Sequence, residues 1–218
     1  MHKQIAHFHY LTQDIPGVGH ETLAELACKG GVEWVQLRVK EQGYEDWLDT
    51  AWEVKKICNR FGAKLIINDN IEIAREVGAD GVHLGKNDFP PAMARMALGP
   101  SKIIGGTANT FEDIQMLHLA DVDYIGLGPF RFTETKKNLS PQLGIDGYRT
   151  LAERCKTADL NLPLIAIGGI KTKDINGLLE AGVHGVAISS GINKSDAPSK
   201  QAANFINQIQ HYYSALNT

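Results

Sequence analysis

The chain has 218 residues, of which 43% are hydrophobic and 22% are charged, and its formal net charge at pH 7 is −3. This length and composition fit a single globular domain with an apolar core and exclude a disordered chain. The net negative charge excludes a nucleic-acid binder that depends on general basicity, so we expect no nucleic-acid partner.

The cysteines and the N-terminal segment predict a cytoplasmic protein. Cys28, Cys58 and Cys155 are an odd set without CxxC spacing, which is typical of reduced thiols. No apolar run is long enough to span a bilayer, and residues 1–10 lack the apolar centre of a signal peptide. We therefore expect no membrane partner. The sequence leaves the oligomeric state open and is compatible with a homo-oligomer.

Short apolar runs alternate with amphipathic stretches and predict a repeated strand–helix unit. The predicted strands are residues 8–12, 34–38, 64–68, 81–84, 102–107, 124–128, 163–169 and 185–190. Most are rich in Val, Ile and Leu, as strands buried on both faces should be. Similar units at 31–37, 78–84 and 182–188 imply parallel strands with right-handed crossovers. Eight units favour one (β/α)₈ TIM barrel over residues 1–218, with a doubly wound open sheet as the main alternative.

The second predicted strand ends in polar residues that should share one face. Side chains alternate along a strand, so Gln36, Arg38 and Lys40 should point one way and Leu37 and Val39 the other. The apolar pair suits the helix-facing side, which leaves the polar residues facing the barrel mouth. Two cations there favour an anion such as pyrophosphate, the alternative being a solvated strand end.

The third and fourth predicted strands lead to Asp69 and Asp88. Because consecutive strand ends are neighbours in a barrel, the two carboxylates should meet beside the cations. Mg²⁺ prefers a few carboxylates together with substrate phosphate oxygens, so we predict a magnesium site. The alternative is that the two Asp side chains cap the helices that follow, from Ile71 and from Pro90.

Polar and glycine-rich segments follow the last three predicted strands. Residues 129–138 are polar and basic without helical periodicity, as expected either of a loop that closes over bound phosphate or of a surface loop without a ligand. Gly168 and Gly169 end the seventh strand and Ser189 and Ser190 the eighth. Glycine lets backbone N–H groups approach an anion, and loops after strands seven and eight often form phosphate sites in barrels.

With these segments identified, roughly residues 8–192 resemble the thiamine-phosphate synthase family and its close relative, the thiazole tautomerase. The family's Gln-Leu-Arg-Glu-Lys motif corresponds to residues 36–40, its Asn-Asp motif to Asn68 and Asp69, and its second acidic metal ligand to Asp88. The Gly-Pro-(x)₃-Thr-x-Thr-Lys loop corresponds to 128–136, Ile-Gly-Gly-Ile to 167–170, and the last phosphate-binding pair to Ser189 and Ser190.

The resemblance implies a Mg²⁺-assisted transferase reaction. A 4-amino-2-methyl-5-hydroxymethylpyrimidine diphosphate condenses with 4-methyl-5-(2-hydroxyethyl)thiazole phosphate and gives thiamine phosphate and pyrophosphate by a dissociative substitution. The resemblance implies catalytic roles for Arg38, Lys40 and Lys136, and metal binding by Asp69 and Asp88. The substrate-binding residues that it implies, besides those three cations, are Gln36, Asn68, Thr107, Thr133, Thr135, Gly169, Ser189 and Ser190.

Four positions depart from the family pattern. Val39 replaces a Glu on the face predicted to point away from the mouth, and Thr107 replaces a Ser but keeps a hydroxyl. Asn70 stands where Arg or His is common, and Asn109 where His is common. The last two leave open the choice of substrate and whether the protein is the main pathway synthase or a diverged paralogue.

Two other functions stay as alternatives to the synthase, besides other phosphate-handling barrels. A thiazole tautomerase needs a general acid–base group over the thiazole, but no His occurs between His118 and His184. A non-catalytic regulator would bind thiamine phosphates without turnover. For His83 and His184, which lie in the repeated units, we predict turn or packing roles.

Overall fold

The structure is a computed structural model that describes residues 3–132 and 141–216. These residues form a closed barrel of eight parallel strands in sequence order, in which the eighth strand pairs with the first. The predicted (β/α)₈ barrel is confirmed, and the open doubly wound sheet is wrong. Every predicted strand is present, with ends that differ by no more than two residues.

The strands are β1 (Phe8–Leu11), β2 (Trp34–Leu37), β3 (Lys64–Asn68), β4 (Gly81–Leu84), β5 (Ile103–Ala108), β6 (Tyr124–Leu127), β7 (Leu164–Ile167) and β8 (Gly185–Ile188). The helices are α1 (His20–Lys29), α2 (Tyr44–Phe61), α3 (Ile71–Glu76), α4 (Pro91–Leu98), α5 (Phe111–Leu119), α6 (Gly144–Thr157), α7 (Ile175–Glu180), α8 (Ser190–Asn193) and α9 (Pro198–Leu216). A 3₁₀ turn, Thr172–Asp174, precedes α7.

Local sequence signals fix where several helices begin and end. A capping box starts α5: the Thr110 hydroxyl accepts the N–H of Asp113 at 3.2 Å, and the Asp113 carboxylate accepts the N–H of Thr110 at 2.9 Å. Helix α2 ends at Gly62, whose φ of 70° suits a residue without Cβ. Because each strand is followed by a helix, the strand-to-helix loops lie at the carboxyl ends of the strands.

The core has two layers. The larger one lies between the strands and the surrounding helices, and it includes the outward-facing Leu37 and Val39. The smaller one fills the barrel interior around Trp34 and Tyr124, which are almost fully buried. A side chain on Gly105 would collide with the Tyr124 ring, so that glycine makes room for the tyrosine inside the barrel. The interior is therefore packed, and ligands can enter only at the ends of the barrel.

The three cysteines agree with the expectation of reduced thiols. Cys28, Cys58 and Cys155 are buried free thiols, and burial raises the pKa of Cys58 to about 12. They therefore behave as packing groups rather than as nucleophiles. Within residues 3–132 and 141–216, no helix combines the length and the apolar character needed to cross a membrane.

Candidate active site

The ends of β2 and β3 bring two predicted substrate-binding amides together. The Gln36 side-chain amide donates to Asn68 Oδ1 at 2.7 Å, and both residues are buried. Leu37 and Val39 pack into the outer core, so the predicted alternation after β2 is confirmed. The amide pair lies on the inner side of the strand ends, where it can present hydrogen-bonding groups to a ring held in the mouth.

The predicted cations and carboxylates meet at the ends of β2, β3 and β4. The Lys40 ammonium forms an ion pair with the Asp69 carboxylate. Arg38 is half-buried, which lowers its pKa, while the carboxylates of Asp69 and Asp14 act in the opposite direction. Burial and the adjacent Asp69 carboxyl raise the pKa of Asp88. The convergence expected from strand order is therefore present.

The backbone at Asp69 has a conformation that side chains rarely adopt. Its φ is 69°, and its N–H donates to the His83 carbonyl at 2.8 Å. A positive φ at a residue other than glycine costs on the order of 1–3 kcal/mol and is concentrated at functional sites. This geometry turns the Asp69 carboxylate toward Lys40 and Asp88.

The helix-capping alternative for the two aspartates is wrong. Asn70, not Asp69, caps α3, because its side-chain oxygen accepts the N–H of Ile73 at 2.9 Å. Asp88 Oδ2 accepts the N–H of Gly85 at 2.6 Å, which closes its own loop and leaves α4 uncapped by it. Asn70, a departure from the family pattern, therefore has a structural role.

Thr107 belongs to a buried polar group that the sequence did not reveal. His83 Nε2 lies 3.0 Å from Thr107 Oγ1, and His83 Nδ1 lies 3.0 Å from the Tyr124 hydroxyl. His83 therefore lies inside the barrel and forms a hydrogen bond with a predicted substrate-binding residue. The predicted turn or packing role did not include this contact. Gly105 and Gly126 leave space for its ring, and glycines within two adjacent strands were the available signal.

The β6 and β7 loops interlock around Gly169. The Arg131 side chain donates to the Gly169 carbonyl at 2.8 Å and forms an ion pair with Asp174 at 2.5 Å. Gly168 and Gly169 have φ values of 103° and 65°, and a Cβ on Gly169 would lie 2.5 Å from Arg131 Cγ. The glycines thus allow the β6 loop to approach closely, whereas the approach of an anion to their backbone stays a prediction.

The predicted serines lie at the end of β8, next to the loop after β1. Ser189 Oγ donates to Gln13 Oε1 at 3.2 Å and accepts from Asn193 Nδ2 at 3.2 Å. Ser190 is half-buried and begins α8. Asn109, at the end of β5, donates to the Gly128 carbonyl and so ties the β5 and β6 loops together.

Three predicted site residues, Thr133, Thr135 and Lys136, lie outside the described residues. The others occupy one end of the barrel, in two groups. The first group lies within or just beyond the ends of β2 to β5 and consists of Gln36, Arg38, Lys40, Asn68, Asp69, Asp88 and Thr107. The second group follows β7 and β8 and consists of Gly169, Ser189 and Ser190. The fold and this arrangement define a (β/α)₈-barrel enzyme whose mouth combines cations, paired carboxylates and glycine- and serine-rich strand ends.

Comparison with known proteins gives the family. Residues 12–192 match the sequence model described as "Thiamine monophosphate synthase". A thiamine-phosphate synthase of Bacteroides thetaiotaomicron is 46% identical over 84% of this chain and 88% of its own length. One of Flavobacterium johnsoniae is 50% identical over 78% of this chain and 80% of its own length. The chain belongs to the thiamine monophosphate synthase family and is an enzyme of the transferase class.

Solved structures support the fold. Thiamine phosphate pyrophosphorylase from Pyrococcus furiosus superposes with a TM-score of 0.83 at 23% sequence identity, covering 94% of this chain and 96% of that chain. A likeness at this identity establishes the shared barrel, whereas the family membership rests on the sequence matches.

Proposed function

We propose that the chain is a Mg²⁺-dependent thiamine-phosphate synthase that joins the pyrimidine diphosphate to the thiazole phosphate and releases pyrophosphate. The observation that carries this proposal is the meeting of Arg38 and Lys40 with Asp69 and Asp88 at neighbouring strand ends. A diphosphate needs several positive charges to bind and to leave, and the two cations supply them.

The two carboxylates fit a hard cation. Asp69 and Asp88 are adjacent, and two neighbouring carboxylates repel unless a cation or a proton lies between them. We expect them to hold Mg²⁺ together with water and diphosphate oxygens. Mg²⁺ held by Asp69 and Asp88 would supply positive charge beside the departing pyrophosphate. In the described part of the chain no cluster of three or more His, Cys, Asp or Glu side chains could hold a metal, so binding should depend on substrate.

The reacting groups need orientation more than proton transfer. The bond between the pyrimidine methylene carbon and the diphosphate oxygen breaks, and its electron pair leaves with pyrophosphate. The thiazole nitrogen lone pair then forms the new bond to that carbon. Arg38, Lys40 and Lys136 stabilise the negative charge that develops on the leaving group. The chain's remaining task is to hold both rings in line.

Separate groups of residues are suited to hold the aminopyrimidine and the thiazole phosphate. Gln36 and Asn68 offer amide donors and acceptors to the aminopyrimidine, and Thr107, on β5, is held by His83. Ser189 and Ser190 offer hydroxyls to the thiazole phosphate. The family resemblance assigns Gly169 to the same site. Thr133 and Thr135 complete this phosphate site in the proposal.

Turnover with both substrates tests the proposal. Purified protein with Mg²⁺ should release one pyrophosphate for each thiamine phosphate formed. EDTA should abolish this activity and added Mg²⁺ should restore it. Isomerisation of a thiazole phosphate without pyrophosphate release would instead identify a tautomerase, and binding of thiamine phosphate without turnover would identify a regulator. Full activity in metal-free buffer would exclude the metal site.

We also infer a cytoplasmic location. All three cysteines are unpaired, and both proposed substrates are multiply charged molecules that cross bilayers poorly. Recovery of the activity in the cytosolic fraction of lysed cells would agree, and recovery in a periplasmic or extracellular fraction would not.

A further inference from the structure

The loop between β1 and α1 is tied to the end of β2 by a continuous set of hydrogen bonds. The backbone N–H of Arg38 donates to Thr12 Oγ1 at 3.0 Å. Thr12 Oγ1 lies 2.8 Å from His20 Nδ1, and His20 Nε2 lies 3.3 Å from Asp14 Oδ1. The Asp14 carboxylate then accepts the backbone N–H of Lys40 at 3.2 Å. The set therefore begins and ends on backbone beside the two cations.

The set joins the two loops without a gap. The Asp14 carboxylate accepts, so the facing His20 Nε2 donates to it, and His20 Nδ1 faces the Thr12 hydroxyl. The Thr12 oxygen also accepts the N–H of Arg38. Thr12 and His20 are almost fully buried, so these bonds do not compete with bulk water.

These bonds hold the backbone just beyond the end of β2. Strand β2 ends at Leu37, and the N–H of Thr12 makes the last rung to β2, at 3.1 Å from the Gln36 carbonyl. The N–H groups of Arg38 and Lys40 lie beyond this rung, where the loop after β1 supplies their acceptors instead. Neither Asp14 nor His20 belongs to the motifs that identify the family.

We infer that Asp14 and His20 are positioning residues for diphosphate binding, which they serve by fixing the backbone of Arg38 and Lys40. This inference rests on the proposed function, since it assumes that the two cations bind the diphosphate. A displacement of about 1 Å in a positioning group can cost on the order of a hundredfold in rate. Partners of ligating residues typically contribute tenfold to a hundredfold.

The negative charge of Asp14 makes the direction of the change in diphosphate affinity informative. As a simple point charge, Asp14 repels an incoming diphosphate, so Asp14→Asn would tighten binding if electrostatics alone decided the outcome. As a positioning residue, Asp14 must accept from both His20 and Lys40. The Lys40 N–H contacts both carboxylate oxygens, and Asn offers one acceptor in place of two, so it holds this backbone less firmly. The two roles therefore predict opposite changes.

The experiment compares Asp14→Asn, His20→Asn and the double variant with the wild type. We expect each single variant to raise the KM for the pyrimidine diphosphate about tenfold and to leave the KM for the thiazole phosphate within about twofold. The double variant should have a KM for the pyrimidine diphosphate no higher than that of the more impaired single variant, because both changes break the same connection. Matched controls are Asp121→Asn, at the opposite end of the barrel, and His211→Asn, on the exposed side of α9.

Calorimetric titration with inorganic pyrophosphate and Mg²⁺ supplies a measurement that does not need turnover. Asp14→Asn should weaken this binding about tenfold. If the wild type binds pyrophosphate but makes no thiamine phosphate, the proposed function fails while this arm still tests the inference. Tighter or unchanged binding in Asp14→Asn, or an equal rise in both KM values with a lower Tm, would overturn the positioning role.

Discussion

Arg38 has a half-buried, charged side chain and a backbone that a hydrogen bond holds in place. It is half-buried, close to Asp14 and Asp69, and its N–H is held by Thr12. The guanidinium offers a planar pair of donors to diphosphate oxygens, whereas lysine offers one point charge. The identity of this cation should therefore matter as well as its sign.

We predict that Arg38→Lys lowers kcat/KM for the pyrimidine diphosphate by about tenfold or more, the loss expected for one charged hydrogen bond. Steady-state kinetics with the thiazole phosphate at saturation would measure it. Arg149→Lys, a solvent-exposed change on α6, is the control and should leave kcat/KM unchanged. Equal rates for Arg38→Lys and the wild type would show that charge alone is needed at this position.

The paired aspartates allow predictions of the Mg²⁺ requirement and of the folding stability. Asp69→Asn and Asp88→Asn should each raise the Mg²⁺ concentration for half-maximal activity by at least about tenfold. Asp88 has a raised pKa in the folded protein, so ionising it at neutral pH opposes folding. This penalty is relieved as the pH falls through the folded pKa of Asp88, because the folded state binds the proton more tightly.

Without metal, Asp88→Asn should therefore be at least as stable as the wild type at neutral pH, as measured by urea unfolding in EDTA. Asp121→Asn supplies the control for a change of charge alone, since that side chain is 93% exposed. A large loss of stability in metal-free Asp88→Asn would mean that the carboxylate is a structural group and not one kept for a cation.

At the level of elements, the contact between the β6 and β7 loops depends on a glycine. A Cβ at Gly169 would meet Arg131 Cγ at 2.5 Å and the Phe132 carbonyl at 2.8 Å, with φ at 65°. Gly78 has nearly the same φ, 61°, but nothing within 4 Å of the position that a Cβ would take. The two glycines therefore share the backbone strain of a substitution and differ in the steric clash.

We predict that Gly169→Ala and Gly78→Ala each lower the free energy of unfolding by about 1–3 kcal/mol, the cost of the left-handed conformation. Only Gly169→Ala should also raise the KM for the thiazole phosphate, by about tenfold, because it displaces the β6 loop from the proposed phosphate site. Denaturant unfolding and steady-state kinetics would separate the two effects. Identical kinetics in both variants would remove Gly169 from the site.

The strands could be predicted because each is an apolar run buried on both faces, and the alternation after β2 placed Gln36 and Val39 correctly. Strand order also brought Lys40, Asp69 and Asp88 together as predicted, but the hydrogen-bond partners inside the barrel could not be predicted. His83 reaches Thr107 only because Gly105 and Gly126 leave space for its ring, and no single-strand pattern encodes that. The hydrogen bonds from Thr12 through His20 could not be predicted from the sequence either, since they join three separate segments.

At the scale of the whole molecule, barrel closure places β1 between the two proposed anion sites. The loop after β1 bonds to the end of β2 through Thr12 and Asp14, and to the end of β8 through Gln13 and Ser189. Strand β1 pairs with both of those strands. One short loop thus connects the diphosphate side of the mouth to the thiazole phosphate side, and ligands at either side should stabilise the closed barrel as a unit.

A ligand that binds only the folded barrel must raise its Tm, and the proposed site requires metal and anion together. We predict one cooperative thermal transition, and a rise in Tm of roughly 5–10 °C when Mg²⁺ and pyrophosphate are both present at about a hundred times the dissociation constant. Pyrophosphate in EDTA, or Mg²⁺ alone, should give much smaller shifts, and Asp88→Asn should lose most of the joint effect. Differential scanning calorimetry measures all of these. An equal shift with pyrophosphate in EDTA would show that Arg38 and Lys40 hold the anion without a metal ion.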